Sequence, residues 1–219
     1  MRLDPIETGE IYHVYNRGVD KRQITLDTHD SNRFVQGLIE FNTTDEIGSL
    51  RDHEANSGRL QTANLEHKPL VEILSHCLNP NHFHLILRQL IDNGVSHFMR
   101  SQIGGYARYF NKRHNRSGAL FEGRFKAKWI EDEDILMYKS VYVNQNDRVH
   151  RLPDNARRLV RSSNKEYLEA RKVVSDPAKV LSFFENNVSK YQTYSEKTLI
   201  EILEAKRMNK ELEQIEFND

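Results

Sequence analysis

Along the chain, stretches with a two-residue hydrophobic period alternate with stretches at helical spacing. Ile11 to Gly18 (IYHVYNRG) alternates and is rich in aromatic and β-branched residues, which predicts a strand ending in a glycine turn. Ser31 to Asn42 sets Phe34, Val35, Leu38 and Ile39 at helical spacing, with Ser31 as the expected N-cap. Residues 43–68 are polar and aperiodic and predict an exposed, mobile loop. Leu70 to Leu78 and His82 to Leu87 are strand segments either side of the Asn79-Pro80-Asn81 turn, so together they predict a hairpin. Gly94 to Arg113 predicts a helix with Val95, Phe98, Met99, Ile103, Tyr106 and Phe110 near one face. The Gly104-Gly105 pair inside it costs helix stability and points to a close backbone approach or a bend. Ser117 to Ile130 reads as a glycine-bounded loop followed by a strand. Asp132 to Asn146 reads as a helix whose first-turn acids suit the macrodipole.

The order strand, helix, strand, strand, helix, strand, helix predicts an α+β fold, a central antiparallel sheet with helices packed on one face. Beyond Pro153 the composition changes. RSSNKEYLEA and DPAKVLSFFENNVSKYQTY predict helices on the outside of the core, and residues 195–219 a charged amphipathic helix. The chain therefore divides into residues 1–150 and a C-terminal helical extension, 151–219.

Composition adds a compartment and a partner. No apolar run approaches the ~20 residues needed to span a bilayer, so no membrane is expected. The N-terminus has no apolar signal segment, and the single cysteine, Cys77, fits a reducing cytosol. A cytoplasmic protein, held at the nucleoid when bound to DNA, is the expectation. The formal net charge is +0, but its distribution is uneven. From Arg100 to Lys128 the basic residues include Arg108, Arg113, Arg124 and Lys126, and the only acid is Glu122. Aromatics within the run, Tyr109, Phe121 and Phe125 among them, favour a nucleic-acid groove on which bases stack; the plainer alternative is a solvated charged face.

Two constellations carry chemistry. His82 and His84 are one residue apart on an expected strand, so both imidazoles leave the same face, the geometry of a divalent-metal chelate. Two tolerated surface histidines are the bland alternative. Tyr142 and Asn146 are four apart on an expected helix and share a face. A tyrosine phenol can act as a covalent nucleophile, and an Asn oxygen is a hard, neutral metal ligand. A buried Tyr with a C-capping Asn explains the pair equally simply, and Tyr138 is the rival nucleophile. Arg17, Lys21, Arg22, Arg108, Arg113, Arg124, Lys126 and Lys128 are the candidate DNA contacts.

NPNHFHLIL, YARYFNKRHNRSGALFEGRFKAKWIEDED and YVNQN, with IYHVYNRGVDKR near the N-terminus, resemble the REP-associated tyrosine transposases. These are single-tyrosine HUH enzymes related to small insertion-sequence transposases that act on single strands. The likeness covers roughly residues 8–150. It implies an HUH endonuclease-like sheet with a ferredoxin-like core, a metal pair at His82 and His84, a nucleophile at Tyr142, and Asn146 joining the metal shell. It further implies a Mg²⁺- or Mn²⁺-dependent transposase that cleaves and rejoins single-stranded DNA near hairpins through a 5′-phosphotyrosine. No nucleotide cofactor is needed, and the chain holds no G-x-x-x-x-G-K-[ST] loop. Single-stranded or hairpin DNA is the expected partner, with a monomer working in cis. One departure stands out: Asp147 follows Asn146 where this family usually has proline. Two rival readings remain, a non-catalytic module that binds structured single strands and a metal-dependent phosphoesterase using water.

Overall fold

The computed structural model describes residues 5–45 and 68–216, with side chains as far as residue 208. Most of the loop expected over 43–68 lies outside the described residues. Five strands form one sheet: β1 (Ile11–Arg17), β2 (Val71–Leu78), β3 (His82–Gln89), β4 (Lys126–Trp129) and β5 (Arg161–Ser162). Their spatial order is β4-β1-β3-β2-β5 and every pairing is antiparallel. The first four strands, with helices α1 (Thr28–Glu40) and α2 (Gly94–Arg113) between them, follow the β-α-β-β-α-β order of a ferredoxin-like core.

Strand alternation sorts the side chains into two layers. Val14, Phe83, Leu85 and Leu87 face α1 and α2, where Phe34, Leu38, Phe98 and Phe110 complete one core. Ile86, Leu74 and Cys77 face the other way, against α3 (Glu133–Asn144). The sheet of the expected α+β fold is present, and α1 and α2 share one face as expected. Its opposite face is covered too. The chain beyond Pro153 packs there: α6 (Asn164–Leu168), α7 (Ala178–Ser182) and α8 (Val188–Glu216) follow the short helices α4 (Asn146–Val149) and α5 (Asp154–Arg157). Tyr167 and Tyr191 from this segment are fully buried and Leu181 is buried beside them, so these helices make core instead of decorating it. Among the described residues, no helix is long and apolar enough to cross a membrane.

Two local expectations change, the N-cap of α1 and the end of α3, and β2 adds a bulge. The N-cap of α1 is Asp27, whose carboxylate accepts from the Asp30 N–H, while Ser31 lies inside the helix and donates its hydroxyl to Leu159 O at 2.7 Å. A cap is set by where the backbone turns, and a Ser four residues on is equally competent by type. In β2 the register shifts between Ile73 and Ser75, a bulge that turns both Leu74 and Ser75 to the second layer, where the Ser75 hydroxyl meets Tyr167 Oη at 2.8 Å. The helix expected to run to Asn146 ends at Asn144, and Asn146 opens α4. The double glycine in α2 marks a close approach: a Cβ on Gly105 would lie 2.7 Å from the Phe41 ring. The helix runs through it unbroken.

His76, buried in β2, bonds Ser175 Oγ through Nδ1 at 2.8 Å, and burial pulls its pKa from 6.5 to about 4. Because the folded value lies below the unfolded one, the unfolded chain binds this proton more readily. Stability is full above about pH 6.5 and falls as pH drops toward 4, by on the order of 3 kcal/mol for this group. Urea unfolding at pH 7 and at pH 4.5 should show lower stability at the acid value. His76→Asn, which keeps a polar atom near the Nδ1 position, should lose part of that dependence. An unchanged dependence would locate the acid sensitivity elsewhere.

Candidate active site

β1 and β3 run antiparallel with Tyr15 opposite His84 and Arg17 opposite His82. Alternation therefore sends His13, Tyr15, His82 and His84 to the second-layer side of the sheet, the side on which α3 lies. The tight turn ahead of β3 closes with Asn79 N–H donating to His82 O at 2.8 Å, which fixes where the first histidine emerges. The result is a cleft of about 480 Å³ lined by Tyr15, Arg17, Lys21, His82, His84, Glu122, Lys126, Tyr142 and His150.

One ligating nitrogen from each of His82, His84 and His150 lies within 4.8 Å of the others. Asn146 is fully buried beside them, its Oδ1 2.9 Å from His82 Nε2. His82 Nδ1 lies 2.7 Å from Asn81 Oδ1, an acceptor for a ring proton there, and Asn79 Nδ2 lies 2.9 Å from Nε2, a donor suited to a lone pair at that atom. Asn79 Nδ2 donates to Asn146 Oδ1 at 2.6 Å, which turns that amide oxygen toward His82. Two lone pairs thus converge, and imidazole nitrogens plus an amide oxygen form a donor set that fits a divalent first-row ion. Burial lowers the pKa of His82, and holds that of His84 well below the ordinary value. His150, at the rim, is lowered to about 4 by lost hydration, with His82 and Lys206 adding to it. All three are neutral, as metal ligands must be.

Tyr142 projects from α3 into the same cleft, its ring edge-on to His84 with centroids 5.4 Å apart. Burial raises its pKa, while the Asn146 side chain acts in the opposite direction. Tyr138, one turn earlier, is exposed and does not line the cleft. The end of α3 is tied to α8: Asn144 Nδ2 donates to Tyr191 Oη at 2.9 Å and Gln145 Nε2 to Ser195 Oγ at 3.1 Å. Lys206 of α8 reaches Val149 O at 3.3 Å. The C-terminal segment thus holds the tyrosine's helix against the histidines. Asp147 turns away and pairs with Arg157 at 3.7 Å, so it leaves Asn146 in place beside His82.

The basic candidates divide between the two layers. Arg17, Lys21 and Lys126 line the cleft, and Lys128 lies next along the same face of β4. Arg17 is held by Glu122 through two guanidinium nitrogens, Nε and Nη2. Arg22 bonds Val19 O at 3.1 Å outside the cleft lining, and Arg124 is exposed in the loop before β4. Arg108 and Arg113 lie on α2, behind the sheet, and Arg113 binds Asp27 and Asp30 as a structural tie. The basic run is therefore not one groove. Its aromatics are not open platforms either: Phe121 is core, Phe125 packs against it, and Tyr109 bonds Asp30. Tyr15 lines the cleft together with Tyr142 and the histidines.

Two residues, His150 and Lys139, escaped the sequence reading of the site, and His13, with His76 and His97, entered it only as a ligand that the fold would have to bring in for a water-using phosphoesterase. His150 follows Tyr142 and Asn146 at the same four-residue step, a signal hidden because the expected helix stopped at Asn146. His13 lies 2.9 Å from His84 Nδ1 across the strand pair. Lys139, half-buried, places Nζ 5.3 Å over the Tyr142 ring.

No curated protein matches the chain. Among solved structures, that of a REP-associated tyrosine transposase bound to a REP hairpin is similar, with a TM-score of 0.47 and 13% identity over 80% of this chain and 88% of that one. A family model described as transposase IS200 like matches residues 51–146, the stretch that carries His82, His84, Tyr142 and Asn146.

Proposed function

We propose that the chain is a divalent-metal-dependent DNA transposase that cuts and rejoins single strands near hairpins, with Tyr142 as nucleophile. The observation that carries this reading is the edge-on approach of Tyr142 to His84 within the cleft shared by His82 and His150. The family match over the same residues supports it. A non-catalytic binding module has no use for a half-buried tyrosine set edge-on to His84 in a cleft that His82 and His150 share.

A divalent ion held by His82, His84, His150 and Asn146 Oδ1 supplies Lewis acidity and charge neutralisation at the scissile phosphate. Mg²⁺ and Mn²⁺ both serve phosphoryl transfer, and the nitrogen-rich set favours Mn²⁺. Lys21 and Lys126 hold the strand's phosphates, and Arg17 joins them when a phosphate displaces Glu122. Tyr142 Oη attacks phosphorus, and the bond from phosphorus to the 3′ oxygen breaks. The 3′ oxygen leaves as a hydroxyl, so the phenol proton is balanced there, and the 5′ phosphate stays on Tyr142. Lys139 over the ring favours the negative charge that builds on the phenol oxygen. Attack by a second 3′-hydroxyl reverses the step and joins strands with no nucleotide cofactor.

The test is a labelled hairpin with single-stranded flanks, incubated with Mn²⁺ and run on a denaturing gel. A discrete cut in the flank is expected; an intact strand at all metal concentrations would overturn the reading. Binding should also prefer that hairpin to a blunt duplex of equal length. With three or so phosphates held, log affinity should fall by about 2 per decade of salt, at roughly −0.7 per contact. Stacking on Tyr15 adds ~1–3 kcal/mol for an unpaired base only. Equal, salt-independent affinities would reduce the cleft's lysines to solvated charge.

A further inference from the structure

We infer that His13 is a positioning residue whose imidazole fixes the tautomer of His84, so that the His84 Nε2 lone pair faces the metal. The inference rests on the metal reading of the cleft. His13 Nε2 lies 2.9 Å from His84 Nδ1, both side chains are buried, and the rings lie within 17° of parallel. Tyr15 stacks on His13 with centroids 5.0 Å apart and holds its ring in that plane.

A neutral imidazole carries one proton, on one nitrogen or the other. With Nδ1 turned to His13, Nε2 is the atom His84 has left for an ion. It can ligate only if the proton is on Nδ1, and that proton needs an acceptor. His13 Nε2 is placed to accept it. At 8% exposure, His84 has little access to water as a substitute. The other strand histidine is arranged in the same way, with Asn81 Oδ1 standing 2.7 Å from His82 Nδ1. Each of the two strand histidines thus has a partner on its Nδ1, and the Nε2 of His82 faces Asn79 Nδ2 and Asn146 Oδ1, each at 2.9 Å. The partner on His84 is a neutral ring where a carboxylate commonly serves, so it orients the ligand without adding negative charge where a phosphate must enter.

The test uses the full chain and Mn²⁺ alone, titrated calorimetrically into wild type, His13→Leu and His13→Gln. Gln carries a polar atom at about the reach of Nε2 and can accept the same bond. His13→Leu should bind Mn²⁺ about 10- to 100-fold more weakly, and His13→Gln within about threefold of wild type. Imidazole ¹⁵N NMR of the metal-free wild type should show His84 protonated at Nδ1, a readout that needs no variant to fold. Tight binding by wild type together with equal binding by His13→Leu overturns the inference alone. So does a folded His13→Gln as weak as His13→Leu, or a His84 protonated at Nε2. Failure of wild type to bind Mn²⁺ overturns the metal reading and, with it, the inference.

Discussion

Tyr142→Phe abolishes strand cleavage and leaves hairpin affinity within about twofold of wild type. The substitution removes one oxygen and keeps the ring that packs between His84 and Lys139. The residues proposed to hold phosphates, Lys21 and Lys126, are untouched. Losing the nucleophile of a covalent mechanism costs the whole chemical step, a fall of at least about four orders of magnitude by analogy with other covalent enzymes. Single-turnover cleavage and a binding isotherm, measured on the same preparation, separate the two effects. Cleavage at wild-type rate would move the nucleophile elsewhere, and Tyr138→Phe is the control. Tyr138 stands outside the cleft lining, so that variant should cut normally.

His84→Ala should lose Mn²⁺ affinity by more than about 100-fold, and strand cleavage with it. His84 is the most enclosed of the three imidazoles, and it lies with the tyrosine inside the stretch that the family model matches. His82→Ala should follow closely, since it removes the imidazole whose Nε2 faces the Asn146 oxygen at 2.9 Å. His150→Ala, removing a ring at the rim, should weaken the ion by about tenfold. Calorimetric titration of all four proteins gives the ranking. Equal affinities would remove the metal site, whatever the variants did to activity.

Much of this was legible in the sequence for a physical reason. The alternation in IYHVYNRG and the helical stripe from Val95 to Phe110 mark the faces turned to the first core, and the Asn79-Pro80-Asn81 turn marks HFHLIL as the second arm of a hairpin. The pairing of His82 with His84 followed from strand geometry alone. What sequence hid depends on the second layer. Strands buried on both sides lose their polar alternation, so the bulge at Ile73/Ser75 left no mark. The tyrosines at 167 and 191 read as parts of outer helices, because burial there comes from a sheet face far away in sequence. Charge runs misled in the same manner. Arg113 and Lys126 are close along the chain but lie on opposite sides of the sheet, one tying Asp30 and the other lining the cleft. His13 and His84 are a contact between residues 71 apart, which no local pattern reports.

The proposed chemistry requires a covalent bond between Tyr142 and DNA. Wild-type protein incubated with the hairpin-bearing strand and Mn²⁺, then digested and analysed by mass spectrometry, should yield one peptide spanning Tyr142 that carries a 5′-phosphonucleotide. The adduct should be absent with Tyr142→Phe and with chelator. A cut strand with no protein adduct, its 5′ phosphate free, would contradict the account and leave a water-using metal phosphoesterase in its place.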